Sequence, residues 1–128
     1  MGYVYAPITL ENARITDYPP VHVSALVDSA SWNLCIPQNV REQLGLEEAC
    51  EKPVVLANGQ TVSVPYVGPV VVRFEDREAF VGALVTGDQV LLGAIPMQDM
   101  NVSIDPRDRK LIPNPPPWPG IVGGVRPA

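Results

Sequence analysis

Apolar positions in this chain fall in short runs separated by turn-forming residues, the pattern of strands rather than of long amphipathic helices. Residues 3–10 predict a first strand, and Asp17-Tyr18-Pro19-Pro20 breaks the chain after it. Residues 21–28 alternate apolar and polar before turning fully apolar at Ala25-Leu26-Val27, as a strand does on entering a core. Residues 34–36 predict a short strand. Residues 37–44 predict a helix: Pro37 suits a first helical position, Val40 and Leu44 share a face, and Gly45 suits the C-terminal cap. Residues 54–57 and 61–67 flank Asn58-Gly59, a hairpin signal that predicts a type I′ turn with positive φ at both central residues. A second hairpin is predicted from residues 70–74 and 79–85 around Glu75-Asp76-Arg77-Glu78. Residues 90–92 predict a buried strand, residues 95–100 a helical turn, and residues 102–104 and 110–112 the last strands around Pro106-Arg107-Asp108. Turn signals recur about every ten residues, so the expected class is all-β, a closed barrel-like fold with one short helix.

Composition narrows the function more than the fold. A chain of 128 residues fits one domain and buries roughly two-thirds of its unfolded surface. A formal net charge of −5 argues against nucleic acid as a partner, because phosphate binding needs a basic face. No apolar run reaches the ~18 residues of a membrane span. Residues 1–5 lack a basic stretch followed by an apolar one, so no signal peptide and no membrane association are expected, and the predicted location is cytoplasmic. Cys35 in Leu34-Cys35-Ile36 reads as core and Cys50 as exposed, with no disulfide and no zinc-ligand spacing. From Pro113 the chain turns proline-rich, so the predicted division is a domain of residues 1–112 and a tail of residues 113–128. Such a tail is expected to be extended, polyproline-like or disordered and outside the sheet interior, an inert surface segment or a ligand for a proline-recognising domain.

The chemistry-bearing residues are few. The single histidine, His22, lies inside an alternating strand, six residues before Asp28. Even spacing allows both to face one side, but a lone strand histidine reads as a structural or surface residue. No glycine-rich phosphate loop and no metal-ligand cluster appear, and no cofactor is expected. The informative segment is Ala25-Leu26-Val27-Asp28-Ser29-Ala30-Ser31, an apolar strand ending in an aspartate followed by small residues. A carboxylate there is costly to bury unless it is hydrogen-bonded or shares a proton. The plain reading is an aspartate that caps a turn.

The order of segments along the chain adds a second reading. After the Asp28 strand come Ile36-Pro37 opening a helix that ends at Leu44-Gly45-Leu46, the Asn58-Gly59 hairpin, Val67-Gly68-Pro69-Val70, Leu91-Leu92-Gly93-Ala94-Ile95-Pro96-Met97-Gln98-Asp99-Met100, and Ile104-Asp105-Pro106. As a set, these resemble the retropepsin-like aspartic proteases, in particular their bacterial single-domain relatives, over roughly residues 3–114. The resemblance implies an aspartic endopeptidase with Asp28 as the catalytic carboxylate. Ser29 takes the place of the Ser or Thr that bonds across a dimer beneath the active site, and Ala30 and Ser31 complete the loop. Leu56, Ala57, Asn58 and Gly59 take the place of the flap over substrate, and Leu91, Leu92 and Gly93 that of the segment packed beside the catalytic loop. The family motif has glycine where this chain has Ala30. If that position needs positive φ, alanine costs about 1 kcal/mol or more; if φ is negative, the added methyl is expected to crowd the dimer axis or the substrate path.

Asp-Ser-Ala occurs once, so the resemblance implies a homodimer that joins two Asp28 carboxylates, with a peptide or protein as substrate and neither metal nor cofactor. A competing expectation is a protease-fold module, disabled at Ala30, that dimerises or binds peptides without cutting them. A third is a small β domain of unrelated role.

Overall fold

The computed structural model describes residues 2–115 of the chain. Its strands are β1 (Val4–Asn12), β2 (Val21–Val27), β3 (Leu34–Ile36), β4 (Glu47–Val55), β5 (Thr61–Phe74), β6 (Arg77–Val85), β7 (Leu91–Leu92), β8 (Val102–Asp105) and β9 (Lys110–Pro113). Helix α1 covers Gln38–Leu44 and α2 covers Ala94–Met100. The sheet runs β1-β2-β7-β3-β6-β5-β4, and a further β1–β5 pairing closes six of these strands into a barrel. Closure pairs Thr9–Asn12 with Val70–Arg73. The second half of β5 is therefore bonded on both sides, while its first half carries β4 outward as a hairpin. The predicted all-β barrel-like class is what forms.

Alternation drives the closure. Ala6, Ile8 and Leu10 of β1 point inward, as do Ala25 and Val27 of β2 and Val70, Val72 and Phe74 of β5. With Leu34, Ile36, Leu44, Leu92 and Met100 they form one core, each large side chain contributing about 1.5–3 kcal/mol by leaving water. Asn12 is buried among them and fully used. Its amide donates to the Leu44 carbonyl at 2.9 Å, satisfying an orphan carbonyl at the end of α1, and its Oδ1 accepts from the amides of Arg14 and Ile15, both at 2.9 Å.

Several expectations need correction. Among the described residues there are two short helices, not one: α2 forms despite Pro96 because that residue is third in the helix, where an amide has no helical partner to lose. Pro37 is the N-terminal cap in extended conformation, one residue before the helix, and Gly45 caps the other end at φ 59°. In the Asn58-Gly59 hairpin only Gly59 is left-handed, at φ 84°. The Gly59 amide donates to Leu56 O at 2.9 Å and the Leu56 amide to Gln60 O at 2.8 Å, a turn followed by a glycine bulge rather than type I′. The second hairpin turns through Glu75 and Asp76 alone, since Arg77 and Glu78 already pair with Phe74 and Arg73. Residues 102–105 and 110–113 pair with each other as a separate ribbon, so Pro113 ends a strand instead of beginning the tail. The rest of the proline-rich segment, residues 116–128, lies outside the described residues.

Candidate functional site

Strand β2 lies between β1 and β7, antiparallel to the first and parallel to the second. Its last residue, Val27, pairs with Leu92. Asp28 follows, its amide donating to the Leu92 carbonyl at 3.0 Å. The barrel core thus delivers Asp28 to the point where the strand ends and a tight loop begins. The carboxylate organises that loop: Oδ1 accepts from the Ala30 amide at 3.0 Å and Oδ2 from the Ser31 hydroxyl at 3.2 Å. The plain expectation of a turn-capping aspartate is met in full. It does not compete with a chemical role, because the same bonds fix the carboxylate's orientation. Asp28 is half-buried, and Ser29 and Ala30 are exposed.

Ala30 is free of the strain that glycine would have relieved. Among the described residues the non-glycine positions with positive φ are Glu75, Asn101 and Arg109, so the backbone at Ala30 is one that any residue adopts.

The loop is clamped from the side by Leu91-Leu92-Gly93. Ser31 O accepts from the Ala94 amide at 2.7 Å and Trp32 O from the Ile95 amide at 2.8 Å, the first two amides of α2. Gly93 makes this approach possible. A Cβ there would meet Asn33 O at 2.4 Å and Ser31 O at 2.8 Å.

Above the loop, the β4–β5 hairpin bounds a cleft of about 380 Å³. Val54, Val55 and Leu56 form one wall, and Ser31, Trp32, Cys35 and Leu84 face them. Ala57, Asn58 and Gly59 are exposed at the hairpin tip. Cys35 is half-buried on the cleft wall rather than in the core. Burial pushes its thiol pKa up, and the negative charge of Asp28 pushes it further the same way. Lys52, also on the wall, sits with Nζ 3.9 Å from the centre of the Tyr66 ring. Beside the loop, Ser29 rims a depression of about 390 Å³ shared with Ala94, Met97, Gln98, Val102 and Ile104. None of these side chains is charged.

Sequence reasoning did not single out Trp32, Lys52 or Cys35 as cleft residues. Trp32 carried a usable signal, an aromatic placed immediately after the Asp28 loop. Its side chain is 74% exposed. His22 is exposed and bonds Thr9 Oγ1 across the β1–β2 ladder at 3.0 Å, taking no part in the site. Both cysteines are free, and Cys50 is exposed. Among the described residues no cluster of His, Cys, Asp and Glu is arranged to hold a metal, and no helix is long and apolar enough to cross a membrane.

No protein-family model matches the chain, and no curated protein matches it. Among solved structures it is similar to a protein of unknown function (DUF785) from Legionella pneumophila, at 15% identity and a TM-score of 0.45, over 84% of this chain and 95% of that one.

Proposed function

We propose that this chain is one half of a homodimeric aspartic endopeptidase of the retropepsin-like kind. The observation that carries the reading is the loop of Asp28: its carboxylate is oriented by two local hydrogen bonds, the loop is clamped by Gly93 and α2, and Ser31 of the same loop lines a cleft walled by Val54, Val55 and Leu56. One carboxylate per chain is half of a catalytic pair, and the uncharged depression rimmed by Ser29 offers a face on which a second copy brings its own Asp28 alongside.

Two carboxylates about 3 Å apart share one proton. The ionised one acts as general base on a water, which attacks the scissile carbonyl. The protonated one polarises that carbonyl and then supplies the proton for the leaving amine. The pair titrates as a unit. Substrate lies extended beneath the β4–β5 hairpin, which serves as the flap, held by main-chain bonds with apolar side chains against Val54, Leu56 and Leu84. The competing idea of a module disabled at Ala30 loses its backbone argument, because φ there is not positive.

The test is cleavage of a diverse peptide library at about pH 5, where a carboxylate pair holds one proton. The protein cuts and Asp28→Asn, folded and dimeric, does not. Turnover that persists in Asp28→Asn, or a chain that sediments as a monomer at every concentration, refutes the shared carboxylate pair.

A further inference from the structure

A cavity of about 500 Å³ adjoins the cleft above the Asp28 loop, and Asn33 lines both. The two hollows open on one face of β6. Ala79, Ala83 and Val85 of that strand belong to the barrel core, so alternation puts Phe80, Gly82 and Leu84 on the opposite face. Leu84 lines the cleft, while Phe80 and Gly82 line the cavity. Strand β6 thus runs from one hollow into the other.

Tyr66 stands at the boundary. It pairs with Leu84 across the β5–β6 ladder, and its ring covers Gly82, where a Cβ would meet it at 2.2 Å. Glycine at that position lets the ring settle against the sheet as a wall of the cavity. Lys52, which lines the cleft, holds its Nζ 3.9 Å from the centre of the same ring.

The cavity's chemistry is apolar with one cation. Phe80 is 65% exposed and Ile95 is 40% exposed, large apolar groups left open to solvent. Arg14 is the one charged residue on the lining, and it makes no ion pair among the described residues. Glu47 lines a smaller depression together with Arg14 but does not line this cavity. From Leu84 to Phe80 is four residues of strand, about 13 Å. A peptide extended along β6 covers that span in four residues of its own. Four is even, so the side chains at the two ends of the span point to the same side of the peptide. Cleft and cavity are therefore spaced for two side chains of one extended chain.

We propose that the cavity is an accessory subsite for substrate. It takes a large apolar side chain, four residues from the one held against Leu84, with an acidic neighbour that pairs with Arg14. The inference rests on the proposed protease cleft for the lie of the peptide. It adds a substrate class: peptides with an apolar–acidic pair at a fixed distance from the residues beside the cleaved bond.

The test reads binding and cutting separately. Labelled peptides with an apolar core carry Phe-Glu, Ser-Glu or Phe-Lys at successive distances from it. Binding to full-length Asp28→Asn is followed by fluorescence anisotropy, and cleavage is measured with the unmodified protein. Phe-Glu four residues from the core side chain should outperform Ser-Glu by about tenfold in both assays, and Phe-Lys by several-fold. Phe80→Ser or Ile95→Ser, added to either protein, should bring the Phe-to-Ser ratio close to one, with far-UV circular dichroism unchanged. Both side chains are exposed, so either variant serves if the other misfolds. Each readout is a ratio between peptides on one protein, so a general loss of activity does not mimic the effect. No advantage for Phe-Glu at any distance, or one that persists in both variants, overturns the subsite. A Glu preference that survives Arg14→Gln overturns the acidic neighbour. Binding that depends on Phe80 and Ile95, with no peptide cut, refutes the protease reading and leaves the subsite standing.

Discussion

Replacing Gly93 by alanine tests whether the Asp28 loop is held by backbone approach. Gly93 has φ −92°, so alanine is conformationally acceptable there, and the cost is steric. The new Cβ would lie 2.4 Å from Asn33 O, 2.8 Å from Ser31 O and 2.8 Å from the Trp32 carbonyl carbon. All three are backbone atoms and cannot swing aside as a side-chain tip would. The loop must move away from α2, stretching the bonds from Ala94 N to Ser31 O and from Ile95 N to Trp32 O, now 2.7 and 2.8 Å. Two such bonds contribute about 1 kcal/mol each, and overpacking adds about 1–3 kcal/mol. The sum, about 3–5 kcal/mol, lowers the Tm by roughly 12–20 °C in a domain of this size. Thermal unfolding followed by circular dichroism measures it. Gly87→Ala is the comparison: φ is +79° and no atom lies within 4 Å, so only left-handed strain of about 1 kcal/mol is expected. If Gly93→Ala loses no more than Gly87→Ala, the clamp does not hold the loop as described.

Three further perturbations reach the site and its surroundings. Ala30→Gly relieves no strain, since φ there is not positive, and should lower stability by up to about 1 kcal/mol through unfolded-chain entropy; a stabilised variant in the same melting assay contradicts this. Alkylation of Cys35 by iodoacetamide should be slower than that of Cys50 and rise only at pH above the ordinary thiol range, because burial first and Asp28 second disfavour the thiolate. Asp28→Asn should bring that pH profile part of the way down, and equal reactivity of the two thiols near neutral pH, read by mass spectrometry, refutes it. Arg77→Ala should destabilise by about 3 kcal/mol, since the charged donor satisfies three carbonyls at the end of α2 and beyond β9 with a side chain only 11% exposed; an unchanged Tm counts against the anchoring role.

How much of this was legible in the sequence depends on whether each element has a buried face. Strands β1 and β2 alternate because one side packs into the barrel, and their positions are readable from that alone; residues 61–67 and 70–74, expected as two strands, are one strand, β5, with a register irregularity between Val67 and Val70. Strand β4 begins at Glu47, well before the apolar residues that announced it. It is an edge strand in which Glu47, Glu48, Cys50 and Glu51 are all exposed, so its first half has no hydrophobic period, only charges of the kind that guard an edge. The Glu75–Glu78 turn was read too long for a related reason. Arg73 pairs with Glu78 across the ladder and with Glu11 on β1 at 2.9 Å, so polar residues that signalled a loop are ladder partners on the outer face.

The site was legible where local chain order fixes it and hidden where closure does. Asp28 at the end of an apolar strand, and Gly93 after Leu91-Leu92, are local patterns. Their meeting depends on the parallel β2–β7 pairing, which local periodicity does not reveal. The same closure brings Cys35 of β3 opposite Val54 of β4 across the cleft. A residue that the apolar run Leu34-Cys35-Ile36 assigns to the core thereby becomes part of the cleft wall, on the face opposite buried Leu34 and Ile36. The strand period locates which side of the sheet a residue faces; the barrel decides what stands on the other side.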